Sequence, residues 1–547
     1  MFKSRTLKTA AVSVALTAAL AACAAEPDED AGTDADTGDG GTDTGEEDDE
    51  AAGEEGGEEG GDLVIGVNSD LNSLDPHTSN DVPSGQMQTQ IYETLAKFDE
   101  DMELQPYLAE SWEDVEEDVW RFNLVEGVTF HDGSEFNAEV VAANVERILD
   151  EEIGSPRAIL FDVIEEVNVV DDYTVEFRTE VPFAPLPSHF AHYAASMISK
   201  ESIEGDYEAM EEGAQPGEYI NDHPYGTGYF EFEEWVSGDY SRAVNFEDYW
   251  GENAKVDSVE LRVMPESSSR IGELTTGGIH IGDPLEATDI NRIEGTDDVG
   301  YFMTEGASIS YLGFNMQKEP FDDARVRRAL SLALDTGSMV DSILEGTGER
   351  ANGPINQTQF GYTEDIPVVE QNLEEARELL AEAGYEDGFE TTLWTNDSAE
   401  REQIAQVAQA NFEEIGVDVN IEVVEWGAYL DATGAGEHDM FILGLSLGTG
   451  DADYPMHMLF HSENVGSTGN RSFMEDETFD DILYQARTEQ DEDQRAELYK
   501  EAVEYLQEEA PMAFLYHPAQ IMGVHDSVQG YWADGSGLYQ LQDVTIN

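Results

Sequence analysis

Residues 391–423 read TTLWTNDSAEREQIAQVAQANFEEIGVDVNIEV, and this stretch decides the fold class. Residues 391–395 are a short run of β-branched and aromatic side chains, which predicts a strand. From 398 to 415, Ile404, Val407, Ala408, Phe412 and Ile415 recur at helical spacing, and Gly416 stops the pattern. Residues 417–423 alternate apolar and polar, as a half-buried strand does. Strand, helix and strand within about 35 residues make a βαβ unit, so the sheet here is predicted parallel and the class α/β.

The same reading extends outward. Residues 372–384 predict a helix with Asn372 as cap, Glu374 and Glu375 in the first turn, and Gly384 just past the end. Further helices are expected near 480–487 and 494–508. At the other end, Leu63-Val64-Ile65-Gly66-Val67 predicts a buried strand that opens the folded region. No repeat of fixed period is visible, and no stretch after residue 22 is long and apolar enough to span a membrane.

Residues 1–62 read differently. Lys3, Arg5 and Lys8 precede a small-residue apolar run, 9–22, which is too short to cross a membrane. The run ends in Leu20-Ala21-Ala22-Cys23, which resembles a lipoprotein cleavage box, with Cys23 as the lipidated residue. Cys23 is the chain's single cysteine, so an intrachain disulfide, a redox pair and a thiolate metal cluster are excluded. Residues 26–62 hold almost only Asp, Glu, Gly, Thr and Ala, and predict an acidic disordered tether.

The net charge is −96, with 121 acidic residues against 25 Lys and Arg. Phosphate contacts need a basic surface, so nucleic acid is excluded as an electrostatic partner, and so is an anionic membrane face. The acidity runs through the folded region as well as the tether, and reads as adaptation to a saline habitat.

Enzyme signatures do not assemble. The chain has no nucleophile elbow, no zinc-protease pair of histidines around a glutamate, no phosphate loop and no complete dinucleotide fingerprint. His457 and His461, four apart, offer two imidazoles to a divalent metal if they share a helix face, or are two hydrogen-bonded histidines. No catalytic residue and no cofactor are assigned.

A series of ordered motifs identifies a relationship. They include Ser73-Leu74-Asp75-Pro76-His77, Gly127-Val128-Thr129-Phe130-His131-Asp132-Gly133, Gly226-Thr227-Gly228-Tyr229-Phe230, Tyr311-Leu312-Gly313-Phe314-Asn315 and residues 320–330, PFDDARVRRAL. Together they resemble the extracellular solute-binding proteins of peptide-type ABC importers, family 5, from Leu63 nearly to the end. The resemblance implies an extracytoplasmic, monomeric, lipid-anchored receptor that captures small peptides, glutathione-like ones included, and delivers them to an ABC permease with its ATPase subunits. A nickel chelate, an opine or a short sugar remains open as cargo. A peptide sensor or chaperone, and an extracellular peptidase or esterase, are the alternatives from other classes. The implied fold is a two-lobed clamshell, with lobe one from 63–305 plus 512–547, an inserted subdomain at about 101–220, and lobe two from 306–511. The hinge crossings are expected near 308–315 and 511–516.

The ligand end is expected at residues 439–454, DMFILGLSLGTGDADY, where an apolar strand meets a Gly-rich turn carrying two carboxylates. In α/β sheets ligands gather at the carboxyl ends of strands. Dipeptide and oligopeptide members carry a Trp and an amine-binding Asp at positions occupied here by Leu445 and Gly448. The turn and the segments after it look more like the glutathione-type branch. The candidate ligand-binding residues are therefore Thr449, Asp451, Asp453, Asn470, Arg471, Trp426, Asn315 and His77. Asp451 is expected to take a ligand amine. Arg471 either forks a ligand carboxylate or answers acidic neighbours, and Trp426 is either a cleft wall or core.

Overall fold

The computed structural model describes residues 60–547 apart from Asp101; the predicted leader, Cys23 and nearly all of the tether lie outside the described residues. The βαβ unit forms as read. Strands Phe389–Asn396 and Val417–Val424 pair in parallel, Leu393 opposite Ile421. Between them runs helix Ala399–Glu414, whose first turn is capped by the Ser398 side chain accepting from the Arg401 N–H. Its Ile404, Ala408 and Phe412 are fully buried against Leu393, Val417 and Val419. Burial of side chains the size of Ile404 and Phe412 stabilises by about 1.5–3 kcal/mol each. The helix Leu373–Glu382 is capped by Asn372, and the two predicted later helices run Glu477–Thr488 and Glu492–Glu509.

That unit is one edge of a six-stranded sheet. Its order is Glu349–Arg350, Met512–His517, Ser308–Phe314, Met440–Ser446, Phe389–Asn396, Val417–Val424. The parallel reading holds only for the edge, because Ser308–Phe314 is antiparallel to both of its long neighbours. A seven-stranded sheet forms the other lobe, with Asp62–Val67 at its centre, parallel to Ser258–Val263 and Ile281–Asp283. Its core, built on Leu63, Ile65, Met87, Phe230 and Leu261, is separate from that of the six-stranded sheet.

The inserted subdomain is a four-stranded antiparallel sheet, Ala109–Glu116, Val119–Leu124, Thr174–Thr179, Ile164–Asp171. Its apolar cluster spans Leu95 to Met197. The expected range of 101–220 ran too far, since Ile203 and Ile220 pack into the core of the seven-stranded sheet.

The passages between lobes also shift from expectation. Val299–Glu305 belongs to the seven-stranded sheet and Ser308–Phe314 to the six-stranded one, so the chain crosses at Gly306-Ala307. Met512–His517 and Ala519–His525 divide in the same way, and the return crossing is at Pro518. The segments expected as hinges are therefore strands of lobe two. Their apolar composition marks buried strands, and each crossing occupies only the one or two residues beside them.

Candidate functional site

Strand Met440–Ser446 is buried at its start and emerges at its carboxyl end into the turn 447–452, followed by helix Asp453–Phe460. The turn lies against lobe one. Gly450 has φ +63°, and a Cβ there would fall 2.6 Å from the Phe98 ring, so only glycine allows this approach. Tyr454 is buried within the apolar cluster of the inserted subdomain, and Met458 packs against it.

Two cavities flank this turn. The first, about 240 Å³, lies between Gly444, Ser446 and Gly448 of lobe two and Arg157, His192 and Ser536 of lobe one. The second, about 630 Å³, lies between Phe98, Trp112 and Trp120 on one side and Phe360, Asp451 and Arg495 on the other.

Of the sequence-selected residues, Thr449, Asp451 and Asp453 are brought together at the turn. Their side chains are already engaged. The Asp451 carboxylate receives both Arg495 terminal nitrogens, at 2.7 and 2.6 Å, and accepts from the Asp453 N–H. Arg495 lies over the rings of Phe360 and Tyr499. Asp453 is held by Arg487 Nε and Nη2 at 3.0 and 2.8 Å. Burial works to raise the Asp453 carboxyl, but the Arg487 charge and hydrogen bonds outweigh it and hold the group well below the usual carboxylate range. Thr449 Oγ1 donates to the Asp451 carbonyl. A ligand amine at Asp451 would have to share a carboxylate that a buried guanidinium already occupies on both oxygens.

The remaining candidates are placed elsewhere. Arg471 donates to Thr433 Oγ1 and the Gly466 carbonyl, and Asn470 to the carbonyls of Phe460, His461 and Met474. Both tie a loop of lobe two together and line neither cavity. Asn315 bridges the Gly436 and His438 carbonyls. His77 is fully buried in lobe one. Its Nε2 donates to the Ser196 carbonyl and its Nδ1 accepts from Arg147, which also binds Asp75 and Asp206. Burial, then the neighbouring Arg147 charge, lowers the His77 imidazole to about 4. Each of these four side chains is fixed by internal hydrogen bonding, which a sequence pattern does not distinguish from ligand contact. Trp426 is 42% exposed and stands outside the core, under the Arg401 guanidinium at 5.3 Å.

Three residues of the site were not selected from the sequence. Arg157 donates to the Ser79 carbonyl and the Tyr193 hydroxyl, and among the described residues no carboxylate lies within ion-pair distance of it. Arg401 donates to Asn396 Oδ1, and its guanidinium comes within 3.9 Å of where a Cβ on Gly444 would stand. His192 sits under Gly448. The signal available in the sequence was the scarcity of cations, which makes every arginine outside an acidic cluster informative.

His457 and His461 do share a face, with ring centroids 4.1 Å apart and Glu463 beside them. His461 Nδ1 accepts from the Glu463 N–H, and His457 Nε2 faces Arg487 Nη1 at 3.4 Å. Burial, then that guanidinium, lowers the His457 imidazole to about 3. One lone pair of each ring is thus engaged, and a dication would meet the Arg487 charge, which favours the hydrogen-bonded reading over a metal site.

Comparison with known proteins agrees with the lobes and the cleft. The model of bacterial extracellular solute-binding proteins, family 5, matches residues 103–467. The dipeptide-binding protein of Escherichia coli is 30% identical over 488 residues, covering 83% of this chain and 89% of that protein. The glutathione-binding protein of Pectobacterium atrosepticum is 30% identical over 495 residues, 89% and 94% of the two chains. Among solved structures, the binding protein DppA of Helicobacter pylori in complex with the peptide STSA superposes with a TM-score of 0.77 at 30% identity, over 89% of this chain and 98% of that one. A two-lobed chain with its strand-end turn pressed into an interlobe cleft, matched over most of its length, belongs to the family 5 bacterial extracellular solute-binding proteins.

Proposed function

We propose that this protein is the cargo-binding component of an ABC importer for small peptides, which it captures between its lobes and passes unchanged to a membrane permease. The observation that carries the reading is the interlobe cavity at the end of Met440–Ser446, enclosed by side chains of both lobes and lined by Arg157, with Arg401 reaching toward its Gly444 wall; among the described residues neither arginine has a carboxylate within ion-pair distance. A guanidinium offers a planar fork of donors that matches a ligand carboxylate. Peptide backbone groups supply the remaining hydrogen bonds and tolerate varied side chains. The named cargo of similar proteins, dipeptides and glutathione, supports the size class.

A bound ligand stabilises the closed form by its differential affinity for it, and the permease reads that form. The chain acts as a monomer held at the outer membrane face through lipid on Cys23; intact-mass analysis of detergent-extracted protein would report that lipid. The experiment that tests the function is native mass spectrometry of freshly purified protein after exposure to a mixed tripeptide library. Retained peptides of unaltered mass are expected. Failure to retain any peptide, or recovery of cleaved ones, would overturn the carrier reading.

A further inference from the structure

The cavity beneath Gly448 has a composition unlike the rest of the chain. Acidic residues number 121 in the sequence, yet among the described residues none lines it. Its charged wall residue is Arg157, and its other ionisable groups are His192, Tyr193 and Tyr454. His192 Nδ1 accepts the Ala194 N–H at 3.0 Å, so the neutral ring carries its proton on Nε2. Burial, with the Arg157 charge next, keeps that ring neutral by pushing its pKa well below the usual imidazole value. Nε2 stands 3.2 Å from where a Cβ on Gly448 would be, so the N–H is presented in the space that the missing side chain leaves. Two serines, Ser446 and Ser536, complete a wall rich in donors. Asp81 and Asp534, close in sequence to its lining, are engaged elsewhere. Asp81 caps the helix Val82–Ile91 through Ser84, and Asp534 accepts from the Ser536 and Leu538 N–H groups.

A cationic amine placed here would meet a guanidinium and an imidazole N–H, with no acceptor of opposite charge on the wall. A carboxylate would meet a charge-assisted donor and a neutral one, and such bonds are the strong ones. We infer that this cavity takes a carboxylate of the cargo through Arg157 and His192, and that the cargo is a small acidic peptide or peptide-like acid without a free ammonium group at this end. The inference rests on the peptide-carrier reading and narrows it to a substrate class.

Calorimetry with three C-terminally amidated dialanine probes tests it: succinyl-Ala-Ala-amide, acetyl-Ala-Ala-amide and Gly-Ala-Ala-amide, which place a carboxylate, a neutral group and an ammonium at the variable end and carry no other carboxylate. The expected order of affinity is succinyl, acetyl, glycyl, with the ends of the series at least about tenfold apart. Arg157→Gln should weaken the succinyl probe at least about tenfold more than the acetyl probe, and Arg157→Lys should keep part of the preference. Equal or tighter binding of the glycyl probe overturns the inference. So does an unchanged succinyl affinity in Arg157→Gln with an unchanged melting temperature. If peptides from the mixed library are retained but the acid-first order is not found, only this inference falls; if neither library nor probes bind, the carrier reading falls with it.

Discussion

Asp451 and Asp453 stand two residues apart, and each answers an arginine on a different helix, Arg495 at 44 residues' distance and Arg487 at 34. Both acids are buried, and removing one partner of a buried pair strands the other charge, which typically costs about 3–5 kcal/mol. Asp451→Asn should therefore destabilise the fold by about 3 kcal/mol in urea denaturation, because Arg495 loses its counter-charge. A loss below about 1 kcal/mol would mean the pair is replaceable. Asp534 behaves in the opposite sense. Burial pushes its carboxyl up to about 6, against three backbone N–H groups that favour the anion. An unfolded Asp titrates near about 3.9, so the folded chain holds this proton more tightly. That contribution to stability is complete below about pH 4 and is lost as pH rises through about 6. In Asp534→Asn the neutral amide removes this slope, so the variant should gain on wild type between those limits by on the order of 3 kcal/mol. A stability gap that is flat across the window contradicts it. The importance of the turn was legible in its paired carboxylates after an apolar strand. Their partners were not, because residues 34 and 44 positions away meet them only through the packing of two helices.

Among the elements, the helix Asp453–Phe460 has one face in each lobe. Met456, Leu459 and Phe460 belong to the core of lobe two, while Tyr454 enters the core of the inserted subdomain. Ala184 N–H donates to the Arg487 carbonyl across the same boundary, and the Arg487 guanidinium lies over the Phe183 ring. These contacts bridge the cleft as an aromatic wedge beside an ion pair. Tyr454→Ala should release the wedge and enlarge the ligand-free radius of gyration in small-angle scattering, with the circular dichroism of each lobe unchanged. An unaltered radius would show that Tyr454 does not hold the lobes together. The helices and strands of lobe two were legible because their caps and periods are local: Asn372, Ser398 and the alternation of 417–423 all do what their positions dictate. The lobe boundaries were less so. A buried strand reads the same in either sheet, and nothing in the apolar run Met512–His517 tells which sheet it joins.

For the whole molecule, charge is distributed unevenly. The chain sets 25 basic side chains against 121 acids, and Arg147, Arg327 and Arg495 are buried, which leaves fewer cations still to offset the acids that are exposed. Self-repulsion of this kind is screened as the Debye length falls from about 8 Å at physiological salt to about 3 Å at 1 M. The melting temperature should therefore rise between low salt and about 1 M NaCl at constant pH. A salt-independent melt would mean the surface charges are already compensated locally. The two-lobed architecture was legible through ordered motifs along the whole chain rather than through periodicity, which gives elements but not their grouping. The crossings at Gly306-Ala307 and Pro518 carry a mechanical consequence. Each joins two strands with one or two residues to spare, so neither strand can slide along the chain relative to its continuation. Two short pins side by side permit rotation about the line between them and little else, so the lobes have in effect one degree of freedom. A single interlobe distance, read from one spin label on each side, should then describe the full course of opening.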